Sequence, residues 1–241
     1  MTHRPTFVFD FDSTLVAIES LDVLADLALA GHPDRERISA EIAALTDRAM
    51  TGDVPFGEAL RQRLALLPLT REHIAALAAK ATEAMTPSIT RNIGFFRNQA
   101  GRIVIVSGGF REIIAPVAEA LGVPADRILA NDLVYDAGGR VTGVDPTNPL
   151  SGAGGKVEAL NRLELDGPVV MIGDGWTDAE VRAGGAADRF YAFTEVVRRD
   201  KVVAAADGEA ASLDEILHAE GIAGRWSYPR NRIRMLLLEN I

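Results

Sequence analysis

Cysteine is absent from the 241 residues of this chain. A protein without cysteine has no disulfide framework, no thiolate metal site and no cysteine nucleophile. Basic residues are outnumbered by acidic ones, and the formal net charge is -9. An acidic chain repels nucleic-acid phosphates and anionic membrane surfaces, so we expect neither as a partner. Any site for an anion must therefore be built locally from lysine, arginine, backbone N–H groups or a metal ion.

Long apolar runs are also lacking. None reaches the roughly 18–20 residues that a membrane-spanning helix needs, and residues 1–9 lack the basic and apolar regions of a signal peptide. Low-complexity stretches are absent as well, whereas hydrophobic residues make up 48% of the chain, enough for a sizeable core. We therefore expect a cytoplasmic protein, and the length suits one ordinary domain that carries a smaller inserted one.

Short apolar segments alternate with helical periodicity along most of the chain. This alternation predicts an α/β fold of Rossmann-like type, with a parallel sheet and helices on both of its faces. The predicted strands are 6–9, 102–106, 127–130, 168–172 and 189–193, with a hairpin at 133–135 and 140–143. The predicted helices are 19–30, 34–50, 56–66, 70–84, 89–100, 110–121, 156–163, 195–205 and 213–219.

The helical block from about Val16 to Met85 interrupts this alternation directly after the first strand. It predicts a helical cap inserted into the α/β core. The expected division is therefore a core of residues 1–16 and 87–222, a cap of residues 17–86, and a C-terminal tail of residues 223–241 whose role is unknown.

Two carboxylates follow the first predicted strand. Asp10 and Asp12 lie at i and i+2, on the same side of an extended chain, and like charges this close need a cation or a proton between them. A hard, oxygen-binding cation such as Mg²⁺ meets that need. One carboxylate could then attack phosphorus while the other transfers protons. The alternative explanation is a metal-free turn that caps a helix.

Three further polar clusters follow strands or begin helices: residues 107–110 (SGGF), Lys156 after the glycine-rich 151–155, and residues 173–178 (GDGWTD). In the first cluster, hydroxyl and backbone N–H groups could bind an anion. Lys156 could neutralise a phosphate, and the carboxylates of residues 173–178 could complete a cation site. Taken singly, ordinary turns and a surface lysine explain them equally well. Because the carboxyl ends of parallel strands meet at one edge of a sheet, their conjunction predicts a single active site there.

These four clusters, in this order, resemble the motifs of the haloacid dehalogenase (HAD) superfamily of phosphatases. Residues 19–22, 50–56 and 60–64 add a more specific resemblance to its phosphoserine phosphatase family, over about residues 5–220. The resemblance implies magnesium-dependent hydrolysis of O-phosphoserine through a phospho-aspartyl intermediate, as the last step of serine biosynthesis. The first alternative is another small phosphomonoesterase or phosphotransferase of the superfamily. The second is a signalling receiver module, which Asp12 and the inserted helices disfavour.

The resemblance also implies a role for each matching residue. Asp10 would be the nucleophile and Asp12 the general acid/base. Magnesium would be bound by Asp10, Asp174 and the backbone carbonyl of Asp12, with Asp178 supporting the metal site. The implied substrate-binding residues are Glu19, Met50, Phe56, Arg63, Ser107, Gly108, Lys156 and Thr177.

Two of these residues, Glu19 and Arg63, would bind the ammonium and carboxylate groups of an amino-acid substrate. From spacing alone, a surface salt bridge or two solvated side chains is the alternative. Thr177 stands where many bacterial members have asparagine, and Trp176 replaces a residue that is usually small. Trp176 would either narrow the pocket or pack outside it.

The C-terminal segment, residues 225–241, clusters four arginines before an apolar run. From about Tyr228 it resembles the opening strand of D-3-phosphoglycerate dehydrogenases. The alternative is a segment that docks on the core or on a second subunit, so a homodimer is a candidate assembly. The expected partner of the active site is a small-molecule phosphomonoester.

Overall fold

The computed structural model describes residues 4–222, and the C-terminal segment lies outside them. The strands of this range are β1 (Thr6–Phe9), β2 (Ile103–Phe110), β3 (Ile128–Asn131), β4 (Leu133–Tyr135), β5 (Val141–Val144), β6 (Val169–Gly173), β7 (Arg189–Phe193) and β8 (Gly208–Ala210). Six of them form one parallel sheet in the order β3-β2-β1-β6-β7-β8, and β4 pairs with β5 in an antiparallel hairpin.

Helices connect most of the strands, and the first six of them lie between β1 and β2. The helices are α1 (Ser20–Ala28), α2 (Arg35–Met50), α3 (Phe56–Leu66), α4 (Arg71–Ala81), α5 (Pro87–Arg91), α6 (Ile93–Asn98), α7 (Arg111–Leu121), α8 (Gly155–Asn161), α9 (Trp176–Ala183), α10 (Asp200–Ala205) and α11 (Leu213–Ala219). The predicted fold class, a parallel sheet flanked by helices, is confirmed. None of the described helices has the length and hydropathy needed to cross a bilayer.

The centre of the sheet is buried on both faces. Side chains of a strand alternate between the faces, and β1 divides its residues accordingly: Phe7 and Phe9 join one apolar cluster, and Val8 joins the other. In the register of the sheet, Phe9 of β1 is paired with Ile105 of β2 and Ile172 of β6. The residues that follow these three strands are therefore brought together at one edge.

The chain enters and leaves the α1–α4 block side by side. The backbone N–H of Ala17 donates to the carbonyl of Ala84 at 2.7 Å, and that of Thr86 donates to the carbonyl of Leu15 at 3.0 Å. Such a paired connection is the arrangement expected of an inserted unit. The assignment of residues 17–86 as a cap domain stays a prediction.

Three predicted elements differ most from the structure, and two observed elements were not predicted. The predicted helix 89–100 is broken at Asn92, whose side-chain amide donates to the carbonyl of Ser88 at 2.8 Å. The predicted helix 195–205 begins only at Asp200, because the backbone of Arg199 is extended. The strand predicted at 102–106 continues to Phe110. Helix α9 and strand β8 were not predicted at all.

Candidate active site

Asp10 lies at the carboxyl end of β1 and is held by a buried lysine. The Nζ atom of Lys156, at the start of α8, lies 2.9 Å from Asp10 Oδ1 and 2.7 Å from Asp178 Oδ1. Burial lowers the pKa of Lys156, but the attraction of Asp10 and Asp178 outweighs it and raises the pKa above its ordinary value. The lysine therefore stays charged and fixes one oxygen of Asp10.

Three buried carboxylates converge beside this lysine. One oxygen from each of Asp10, Asp174 and Asp178 lies within 4.8 Å of the others. Burial raises the pKa of Asp174 well above its ordinary value, and burial followed by repulsion from Asp10 raises that of Asp178 to about 7. A buried, all-oxygen donor set with excess negative charge fits a hard divalent cation.

Asp12 is oriented differently from Asp10. Its Oδ1 atom accepts hydrogen bonds from the Ser20 backbone N–H at 3.1 Å and the Ser20 hydroxyl at 2.5 Å. Burial and repulsion from Glu19 raise the pKa of Asp12 well above its ordinary value. A carboxyl group with a raised pKa holds its proton more readily, which suits a general acid.

Arg199 reaches the same site and was missed by the sequence reasoning. Its guanidinium pairs with the Asp174 carboxylate and lies 3.4 Å from Glu19 Oε1. Only 9% of its side chain is exposed. Arg199 lies in the segment just before α10, next to a second arginine at position 198. These two residues belong to no recognisable motif, so the sequence carries no signal for either of them. Arg198 instead pairs with Asp200 and Glu209 at the surface.

Arg63 faces the core from α3 and is 3% exposed. Its Nε atom donates to the carbonyl of Ala59 at 3.2 Å, and its Nη1 atom donates to the hydroxyl of Thr46 at 3.1 Å. The centre of its guanidinium lies 6.0 Å from the ring centroid of Phe56. Arg63 is therefore a buried cation on the wall of the site rather than a solvated side chain.

The predicted site residues line one small cavity of about 30 Å³, a volume that admits only one or two water molecules. Asp174 and Asp178 do not line it, although their carboxylates lie next to Asp10. The predicted residues that line the cavity are Asp10, Asp12, Glu19, Met50, Phe56, Arg63, Ser107, Gly108, Lys156 and Thr177.

Close packing explains why the cavity is so small. Gly108 at the end of β2 has no side chain, and a methyl group placed there would overlap the ring of Phe56. A methyl group on Gly175 would lie 2.9 Å from the Met50 sulfur. Trp176 does not line the cavity; its ring covers Gly52, whose φ of 74° suits glycine. The α1–α4 block is thus closed onto the sheet edge.

Comparisons with known proteins agree with this geometry. The family model of haloacid dehalogenase-like hydrolases matches residues 7–181. The phosphoserine phosphatase of Homo sapiens is 35% identical over 197 residues, which cover 80% of this chain and 83% of that protein. The chloroplastic phosphoserine phosphatase of Arabidopsis thaliana is 37% identical over 202 residues, which cover 83% of this chain and 66% of that protein, just under two thirds of its length.

A solved structure extends the similarity to the fold. It is described as a phospho-aspartyl intermediate analogue of phosphoserine phosphatase, and it superposes with a TM-score of 0.71 at 28% identity. The match covers 91% of this chain and 99% of that one. The resemblance drawn from the sequence motifs is therefore confirmed.

Proposed function

We propose that this chain, which belongs to the haloacid dehalogenase-like hydrolases and among them to the phosphoserine phosphatases, hydrolyses O-phosphoserine to serine and phosphate. One observation carries the proposal: a single cavity is lined by Asp10 and Lys156 and also by Glu19 and Arg63. The first pair suits phosphoryl transfer. The second pair offers opposite charges to the ammonium and carboxylate of an amino acid, whereas a sugar phosphate has neither group.

In the first chemical step, a carboxylate oxygen of Asp10 forms a bond to phosphorus as the bond from phosphorus to the serine oxygen breaks. Asp12 gives its proton to the departing serine oxygen. In the second step, water attacks phosphorus and returns a proton to Asp12, and the bond between Asp10 and phosphorus breaks. Lys156 holds Asp10 and offsets the charge of the phosphate, and Ser107 and Gly108 bind the phosphate oxygens.

Mg²⁺ is the proposed cofactor. Asp10, Asp174 and the backbone carbonyl of Asp12 would bind it, and Asp178 would support that arrangement. When bound, it supplies positive charge that binds phosphate and lowers the repulsion felt by the attacking carboxylate. A cytoplasmic location, a place in serine biosynthesis and a homodimer stay predictions.

Chemical trapping tests the nucleophile. After rapid quenching of turnover with phosphate-labelled phosphoserine, we expect the label on Asp10. Asp10→Asn should show neither label nor turnover, because an amide oxygen is a poor nucleophile. Asp12→Asn should slow both steps by roughly 10²–10⁴-fold, the usual contribution of general acid/base catalysis. Label on another residue would overturn the assignment of Asp10 as the nucleophile. Full turnover in excess chelator would overturn the assignment of Mg²⁺ as the cofactor.

A further inference from the structure

One fully buried polar residue, Thr46, interrupts the apolar face of α2. The buried residues of this helix are Ile38, Ile42, Leu45, Thr46 and Ala49. Thr46 is 2% exposed and does not line the cavity, so it has no contact with the reacting groups. Burying a hydroxyl is costly unless it is hydrogen-bonded. Its presence in an apolar stripe therefore calls for a specific partner.

The partner is Arg63. Its Nη1 atom donates to the Thr46 hydroxyl oxygen at 3.1 Å. That oxygen also lies 3.0 Å from the carbonyl of Ile42 and 3.4 Å from Oδ1 of Asp22. A hydroxyl has one proton to give and lone pairs to accept with, while arginine can only donate. The proton of Thr46 is therefore directed to Ile42 or Asp22, and its lone pair faces Arg63.

These contacts fix the plane of the guanidinium before any substrate arrives. The two hydrogen bonds, to Ala59 and to Thr46, use two of the five N–H groups of Arg63. Three N–H groups remain, enough for a planar two-pronged contact with a carboxylate. Burial lowers the pKa of Arg63, and the attraction of Glu19 and then of Asp22 opposes that shift.

We propose that Thr46, supported by Asp22, is a positioning residue that orients Arg63 for the carboxylate of the substrate. The proposal deepens the function proposed above and depends on it. An arginine already held in its binding orientation loses less conformational freedom when the substrate binds. Because the carboxylate is bound equally in the ground state and the transition state, losing this orientation raises KM with little change in kcat.

Three variants of α2 test the proposal. Thr46→Val keeps the shape but removes the hydroxyl, and we expect a rise in the KM for phosphoserine of about tenfold or more, since hydrogen bonds to charged groups are among the stronger ones. Thr46→Ser keeps the hydroxyl and should stay within about threefold of wild type. Ser39→Ala is the matched control, because the Ser39 hydroxyl is buried without a hydrogen-bond partner among the described residues. It should leave kinetics unchanged.

A double-mutant cycle separates orientation of Arg63 from a general loss of packing. In an Arg63→Ala background, Thr46→Val should no longer raise KM for phosphoserine. Thermal unfolding of each variant identifies any loss of folded protein. If Thr46→Val has the KM of wild type, or raises it equally with and without Arg63, the positioning role is wrong while the proposed function stands. A wild type that does not hydrolyse phosphoserine overturns both.

Discussion

Lys156 and Asp178 show how single residues create the electrostatics of the site. Lys156 neutralises part of the charge of Asp10 and Asp178, yet burial and Asp10 still raise the pKa of Asp178 to about 7. The group is therefore protonated in the folded protein at pH values where it is ionised in the unfolded chain. A site with this excess of negative charge is prepared for a cation.

The stability of the metal-free protein should consequently fall as pH rises. Between its unfolded pKa near 4 and its folded value of about 7, the folded state binds a proton that the unfolded state has lost, so ionisation favours unfolding. The raised pKa values of Asp12 and Asp174 act in the same direction. In chelator, we expect a lower thermal midpoint at pH 8 than at pH 6.

Two controls test whether the carboxylates of the site cause this fall of the thermal midpoint with pH. Asp178→Asn removes one titrating group and should flatten the dependence. Added Mg²⁺ should raise the midpoint more at pH 8 than at pH 6, because it binds the ionised carboxylates of the folded state. A midpoint that rises with pH in chelator, or is raised equally by Mg²⁺ at both values, would contradict this account of the three carboxylates.

At the scale of elements, α3 lies against the end of β2 because Gly108 leaves room for Phe56. Gly108→Ala should force the two elements apart and destabilise the fold by about 1–3 kcal/mol, the usual cost of overpacking. Activity toward phosphoserine and toward an aryl phosphate should fall together, since the closed site is distorted for both. Gly94→Ala is the control, because a methyl group on Gly94 in α6 would meet nothing within 4 Å. Unchanged stability and activity in Gly108→Ala would refute this account of the closure.

Elements with strong periodicity and clear end signals were predictable, and short ones were not. The predicted bounds of β1, α3, β7 and α11 agree with the structure. Helix α9 begins inside the glycine- and aspartate-rich motif, where turn residues hide the start of a helix. Strand β8 has only three residues, GEA, with no β-branched or aromatic side chain to mark it. Its position comes from pairing with β7, a tertiary effect.

The candidate site shows the same division. Motif residues such as Asp10 and Lys156 could be predicted because their types and order suit one chemistry. Arg199 and Thr46 could not, since each acts through a contact between different elements of the fold. An arginine or a threonine carries no indication of its partner until the fold brings the two together.

At the scale of the whole molecule, the site lies at the interface between the α1–α4 block and the sheet edge. In the closed form described here the cavity of about 30 Å³ is too small for phosphoserine. We therefore expect the α1–α4 block to move outward for substrate entry and to close again for chemistry. Between the α1–α4 block and the rest of the chain, Lys201 of α10 forms an exposed ion pair with Asp53 at 3.0 Å. An exposed pair of this kind is weak enough to open readily.

The central claim is that the sheet edge binds the phosphate of the substrate, while the α1–α4 block binds its ammonium and carboxylate groups. The most direct test is kcat/KM for phosphoserine and for an aryl phosphate in wild type, Arg63→Ala and Glu19→Ala. Losing one partner of a desolvated charge pair typically costs about 2–5 kcal/mol, so each variant should lose roughly 30-fold or more on phosphoserine. For the aryl phosphate, which has neither charged group, kcat/KM should fall far less. Equal losses on both substrates, or a wild type that prefers a sugar phosphate, would contradict the account.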